Sequence, residues 1–422
     1  MSLPTPTVLG LKKSFGFGDR LGLAGPGHLA ALRAQGKGFS GIFAQQSIRE
    51  MTRTRRSPQD VMGAAQNALA AANYAEPWGA DADHLKTTED IDKTAAAGFT
   101  FFTLDPSPFV NNSADKLGQR ELEEQSMALV KDGVFPAGWD THYLKAEYDA
   151  GAAAGGALRF SREILLRAAV KYGKAIAQVE VMCKHLAKTL QRPYEVEVSV
   201  DETDTPTRPL EHLFWALELK RRGVLERVVS LAPRFIGEFE KGIDYKGDLG
   251  EFERQLRVHA AIAQKFGPYK ISIHSGSDKF SIYPIIGKVC GDRLHLKTAG
   301  TSYLEALRVV VRVDKPLFGQ IAAYSAGRFA EDKASYHISA TDATVAALAK
   351  TPAADYERVY LDESVGRQLL HVTFGSVLTI GTAPNGRLFK DSILEILQKN
   401  AALHSEILVK HLGEHLRLLN AG

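Results

Sequence analysis

The stretch that most constrains the fold runs from Lys270 to Lys279. It opens as a strand: Ile271 and Ile273 share one parity and Ser272 and His274 the other, the period-two pattern of a strand with a single apolar face. It then breaks at Ser275, Gly276 and Ser277, which sets His274, Asp278 and Lys279 beside a turn with free backbone N–H groups. A half-polar strand ending in chargeable groups suits the catalytic end of a parallel barrel strand, where the lumen is polar and the outer face meets helices. A surface hairpin with a satisfied histidine has the same local pattern. Recurrence has to separate the two.

The unit does recur. Strand-like runs at 41–46, 78–84, 99–106, 195–202, 227–234, 293–300 and 335–339 join the Lys270 run to make eight. Helical patterns follow most of them, at 57–72, 87–97, 210–223, 249–266, from 303 onward and at 341–349, with Ser57-Pro58 and Thr87 or Thr88 as start signals. One parity of several strands is polar: Thr103 with Asp105, Ser199 with Asp201, Ser272 with His274, His295 with Lys297. The other is largely apolar, as in Val196, Val198 and Val200. Short strands alternating with helices predict a parallel α/β protein, and the count of eight favours a closed TIM-type (β/α)8 barrel over an open doubly wound sheet.

On this reading residues 1–350 are the barrel and 351–422 a C-terminal helical extension. Residues 112–192 exceed an ordinary connection. Helical stretches at 118–131 and 161–190, around an Ala/Gly-rich 150–157, are expected there as an insertion after the third strand. The Gly-rich first 38 residues carry no strand in this reading, so their glycines do not form a nucleotide-binding loop.

Composition removes other classes. A net charge of +3 with no long Lys/Arg block gives no ground for nucleic-acid binding. Cys183 and Cys290, far apart in sequence, make neither a disulfide framework nor a thiolate metal site. No charged leader precedes an apolar stretch and no run is long enough to span a membrane, so a cytoplasmic protein without membrane partners is expected. A homo-oligomer is compatible with all of this.

The strand ends and the loops after them supply His84, Glu240 and His274, with Asp83, Asp105, Asp201 and Glu202 as spare carboxylates. Two imidazoles and a carboxylate that leave a face open suit a catalytic divalent ion such as Zn²⁺, Mn²⁺ or Ni²⁺. Arg20, Arg234, Lys279 and Lys297 are available to bind an anionic substrate or to pair with the surplus acids. One local motif competes: His411-Leu412-Gly413-Glu414-His415 matches the inverted zinc-protease pattern. Leu408, Leu412, Leu416 and Leu419 recur at helical spacing, however, and read as an amphipathic terminal helix.

Several longer motifs, in order, carry a family resemblance. They are Phe15-Gly16-Phe17-Gly18-Asp19-Arg20 with Pro26-Gly27-His28, Ala82-Asp83-His84-Leu85, the run from Val198 to Asp204, Ala232-Pro233-Arg234-Phe235 with the run from Phe239 to Tyr245, and the run from Ser272 to Phe280. Over roughly residues 10–315 the chain resembles the tagaturonate/fructuronate epimerase family. The resemblance implies a metal-dependent isomerase of hexuronate breakdown that inverts C4 of a 2-keto-hexuronate, with one divalent ion and no nucleotide cofactor. It implies His84, Glu240 and His274 as metal ligands and Asp83 and Glu202 as the acid/base pair. Gln45, Asp105, Asp201, Arg234, Ser277, Lys279 and Lys297 are the remaining candidates for touching a sugar-acid substrate. Simple alternation gives Asp201 the lumen-facing parity, so Asp201 and Glu202 both stay open for the acid/base role.

The chemistry constrains the mechanism separately. In such a substrate the C4 proton is not α to the ketone, so deprotonating C4 yields no stabilised anion. Transient oxidation by a nicotinamide and retro-aldol cleavage of C3–C4 remain, and without a dinucleotide fingerprint the second is preferred. A class II aldolase-type lyase, an epimerase of another keto sugar and a non-catalytic sugar-acid-binding barrel are the competing readings.

Overall fold

The computed structural model describes residues 3–422. Eight parallel strands close into a barrel: β1 Ser14–Gly18, β2 Ser40–Ser47, β3 Gly79–Leu85, β4 Phe101–Leu104, β5 Glu195–Val200, β6 Val228–Pro233, β7 Lys270–Ile273 and β8 Leu294–Thr298. Each strand pairs with its sequence neighbours, and β1 closes the ring with Phe15 opposite Leu296 of β8 and Gly41 of β2. This is the expected TIM-type barrel.

Its first strand is not where the sequence pattern put one. The run at 335–339 forms no strand: Lys333–Ser335 is a 3₁₀ turn, and Tyr336 lies against the Arg53 guanidinium. The eighth place is filled by β1, inside the Gly-rich segment expected to be loop. Its glycines answer a packing need. A Cβ on Gly18 would sit 2.6 Å from the Thr298 carbonyl, so the backbone after β8 approaches β1 too closely for a larger residue there, while one on Gly16 would sit 1.6 Å from Gln45 Oε1 and displace that lumen side chain.

Local chemistry sets the helical layer. Ser57 and Asp60 form a reciprocal cap on the helix Pro58–Ala71, and Thr87 with Asp90 does the same for Thr88–Ala96, so two orphan donors are satisfied at each start. The outward valines of β5 are buried beneath this layer, while Glu197 and Ser199 face the lumen side. Gln119–Lys131 and Arg162–Thr189 are helical. The longer one, started by Ser161, is the crossover returning the chain from β4 to β5 and packs against the helix Pro209–Arg221. At the far end of the chain, Ala401–Leu419 packs on the helices Gly25–Gln35, Tyr283–Cys290 and Thr301–Val313 through buried Leu408, Leu412, Leu416 and Leu419. Among the described residues no helix is long and apolar enough to cross a membrane.

Candidate active site

The C-terminal ends of the strands surround a cavity of about 490 Å³. β3 delivers two consecutive side chains to it, which simple alternation forbids. The break is at His84, whose φ of 52° puts a non-glycine residue in the left-handed region and turns it toward the same mouth as Asp83. Ser275 and Asp278, in the turn after β7, also have positive φ.

His84 and His274 come together with their ring centroids 4.9 Å apart. Asp201 Oδ1 lies between them, 3.5 Å from His84 Nε2 and 3.1 Å from His274 Nδ1. The outer nitrogen of each ring is held by another carboxylate: His84 Nδ1 by Asp83 Oδ1 at 2.8 Å, and His274 Nε2 by Glu197 Oε1 at 2.6 Å. A carboxylate behind each imidazole fixes the ring and raises its basicity, an arrangement characteristic of metal-binding histidines. Asp83, His84 and His274 form one group whose donor atoms are close enough to share an ion. The neighbouring carboxylates and imidazoles also shift one another's protonation. Burial alone would lower the His274 pKa, but Asp201 and Glu197 raise it to about 9, and the two imidazoles hold Asp201 well below the usual carboxylate range despite its burial. Independently of these shifts, the donor chemistry of two imidazoles with adjoining carboxylates fits a divalent ion.

Beneath this group lies Lys297, 4% exposed at its side chain, with Nζ 2.7 Å from Asp81 Oδ2, 2.7 Å from Asp83 Oδ1 and 2.8 Å from Glu197 Oε1. It therefore pairs with lumen acids. Glu202 stands at the rim, 3.9 Å from His84 Nε2, with Arg49 and Lys86 each 3.2 Å from its oxygens. Asp105 faces Lys86 at 3.3 Å and, with His84 and Glu202, makes a second group of closely spaced donors. Gln45 donates to the Thr298 carbonyl at 3.1 Å and lines the cavity, as do Ser277 and Arg234.

Two expected residues are placed elsewhere. Glu240 is not with the two histidines: one oxygen accepts from Ser339 N–H at 2.7 Å and Gln368 Nε2 at 2.6 Å, and the other meets Lys246 at 2.9 Å. Those donors outweigh the effect of burial and bring its pKa down to about 2. Lys279 is fully buried and donates to the carbonyls of Glu240, Ile243 and Ser277, clipping the loop after β6 to the turn after β7. Glu197, Asp81, Arg49 and Lys241 also belong to the site and lie outside the sequence candidates. The first two share the lumen parity of Asp201 and Asp83, which was the available signal.

The His411/His415 motif is structural. His415 Nε2 accepts the backbone N–H of Asp278 at 3.0 Å, and its Nδ1 donates to the His411 carbonyl. His411 Nε2 lies 2.7 Å from Asp278 Oδ1, while Glu414 pairs outward with Arg417. Asp278, His411 and His415 are close enough to share an ion, yet the histidine nitrogens are already engaged in holding the turn that follows His274.

A parallel barrel whose strand ends gather two carboxylate-backed imidazoles, further acids and several cations around a solvent-reached cavity is that of a barrel enzyme for a small polar substrate. The chain belongs to the tagaturonate epimerase family, whose model matches residues 1–419. It is 44% identical over 414 residues to the tagaturonate/fructuronate epimerase of Thermotoga maritima, a match covering 98% of this chain and 82% of that protein. Crystal structures of fructuronate-tagaturonate epimerase UxaE from Cohnella laeviribosi are also similar. The native form gives a TM-score of 0.90 at 38% identity, and a one-glycerol complex 0.91 at 39%, each over 98% of this chain and 83% of that one.

Proposed function

We propose that this chain interconverts D-tagaturonate and D-fructuronate by inverting C4 through retro-aldol cleavage and re-addition. The observation that carries the metal-assisted form of this reading is the His84–Asp201–His274 cluster with its backing carboxylates. His84 and His274 would hold a divalent ion such as Zn²⁺, Mn²⁺ or Ni²⁺, with Asp201 better placed than Glu240 to complete the set. When bound, the ion would supply Lewis-acid polarisation of the substrate ketone.

The protein's own groups move the protons. One carboxylate takes the C4 hydroxyl proton. The C3–C4 bond then breaks, its electrons passing into the C2 carbonyl to give an enediolate and an aldehyde. The aldehyde turns, C3 attacks its other face, and a second acid returns a proton to the new alkoxide. Glu202 at the rim and Asp83 at the wall bracket His84 and are assigned these roles, Asp83 also fixing the His84 ring.

The test is interconversion of the two uronates by purified protein with quantified metal, before and after chelation. Activity lost to chelator and restored by a divalent ion is expected, with Asp83→Asn and Glu202→Gln each lowering kcat about 10²- to 10⁴-fold. Release of free three-carbon fragments would make the protein a lyase. No metal and no turnover would sink the assignment and favour a binding barrel.

A further inference from the structure

Five Arg and Lys side chains line the cavity, and three are already neutralised. Arg20 pairs with Glu50 at 2.8 Å, Arg49 with Glu202 at 3.2 Å, and Lys297 with its three carboxylates. The other two, Arg234 and Lys241, have no carboxylate within 4 Å among the described residues. Arg234 donates through one guanidinium nitrogen to the Thr203 carbonyl, which leaves the rest of its fork open. Lys241 Nζ meets the neutral Ser275 hydroxyl at 2.5 Å. Both come from the segment after β6: Arg234 directly follows the strand's last residue, Pro233, and Lys241 lies farther along the same loop, which Lys279 clips in place. A half-buried cation facing a cavity without a counter-charge is a site for an anion.

We infer that Arg234 and Lys241 form the subsite that reads the substrate's carboxylate, and so set the preference for a hexuronate over a neutral ketohexose. This rests on the epimerase reading and adds a specificity device to it. The guanidinium fork matches a carboxylate in its plane, and the ammonium supplies a point charge from the side of the His274 turn. A hydroxymethyl group in the carboxylate's place would leave both cations unpaired, which is how a site rejects the wrong substrate more strongly than apolar contacts can. The carboxylate belongs to the half of the substrate that leaves as aldehyde. Anchoring it therefore retains that half in the cavity while C4 turns about the C4–C5 bond.

The experiment is calorimetric titration of metal-loaded wild type, Lys241→Met, Arg234→Met and Lys241→Arg with D-tagaturonate and with D-tagatose, with uronate turnover measured in parallel. The expected result is a tagaturonate-over-tagatose preference in the wild type that falls roughly 10- to 100-fold in either Met variant. Lys241→Arg should keep most of it. An undiminished preference, or equal weakening for both sugars as from a distorted loop, overturns the inference. The two readings fail separately. Wild type that turns the uronate over while Lys241→Met binds it as well overturns only the subsite. Wild type that binds the acid preferentially through Lys241 but does not interconvert it overturns only the epimerase reading.

Discussion

Replacing Lys297 with methionine removes a buried ammonium that three carboxylates share, while nearly conserving volume. Its Nζ lies within 2.8 Å of oxygens from Asp81, Asp83 and Glu197, and Asp81 and Glu197 have no side-chain exposure at all. Deleting one partner of a buried ion cluster strands the others in a poorly solvated place, a loss of about 3–5 kcal/mol. For a chain of 422 residues the unfolding entropy is about 0.9 kcal/mol/K, so the melting temperature should fall by about 3–6 °C. Differential scanning calorimetry of metal-free protein at pH 8 reads this directly. Lys270→Met is the control: Lys270 is equally buried, but its ammonium bonds only Ser14 Oγ, at 3.1 Å. Removing a buried charge with no ion pair should shift melting by less than about 1 °C, or raise it. The deficit of Lys297→Met should shrink toward pH 5. The stranded acids then have folded pKa values above their unfolded ones, so the folded state binds more protons and gains stability as pH falls. Equal melting of Lys297→Met and wild type, or an equal loss in Lys270→Met, would refute the reasoning.

Two other outcomes follow from the same geometry. Asp201→Asn should loosen a bound divalent ion by at least about 10- to 100-fold in a competitive chelator titration, whereas Glu240→Gln should leave metal content intact and lower only thermal stability. The reverse result would return Glu240 to the ligand set. Burial brings the imidazoles of His28 and His259 down to about 4, so the folded state binds fewer protons than the unfolded chain below the ordinary histidine pKa. Stability should therefore be lost as pH falls from about 6.5 to 4, each ring contributing at most about 3 kcal/mol. A urea midpoint that stays flat across that window would contradict this.

The barrel was legible because its signal is repetitive: period-two runs with one polar parity recur at the spacing of βα units, and Ser57 and Thr87 mark their helices chemically. β1 escaped because its glycines satisfy a clearance requirement set by Gln45 and Thr298, partners remote in sequence, and locally such glycines look like loop. The run at 335–339 misled for the opposite reason, since five residues of alternating character cost nothing to produce by chance. At the site, parity located Asp201 and His274 and contained the signal for Asp81 and Glu197. It gave no guide to Glu240 or Lys241, because loop side chains take their direction from contacts such as Gln368 and Ser275 and not from a strand's alternation. The pairing of Asp83 with His84 depends on a left-handed residue that sequence gives no reason to expect outside glycine.

The last helix has a consequence for how the protein is made. Strands β2 to β7 can form neighbour by neighbour as synthesis proceeds, but β1 must wait for β8, some 280 positions later, before the ring shuts. Even then the turn after His274 lacks its partner, because the imidazole accepting the Asp278 N–H is His415. A chain folded only through β8 carries a closed ring and an unfinished centre. The helix turn carrying His415 acts as a latch, so completion of the reactive turn waits on a residue 137 positions beyond Asp278 and follows the closing of the ring.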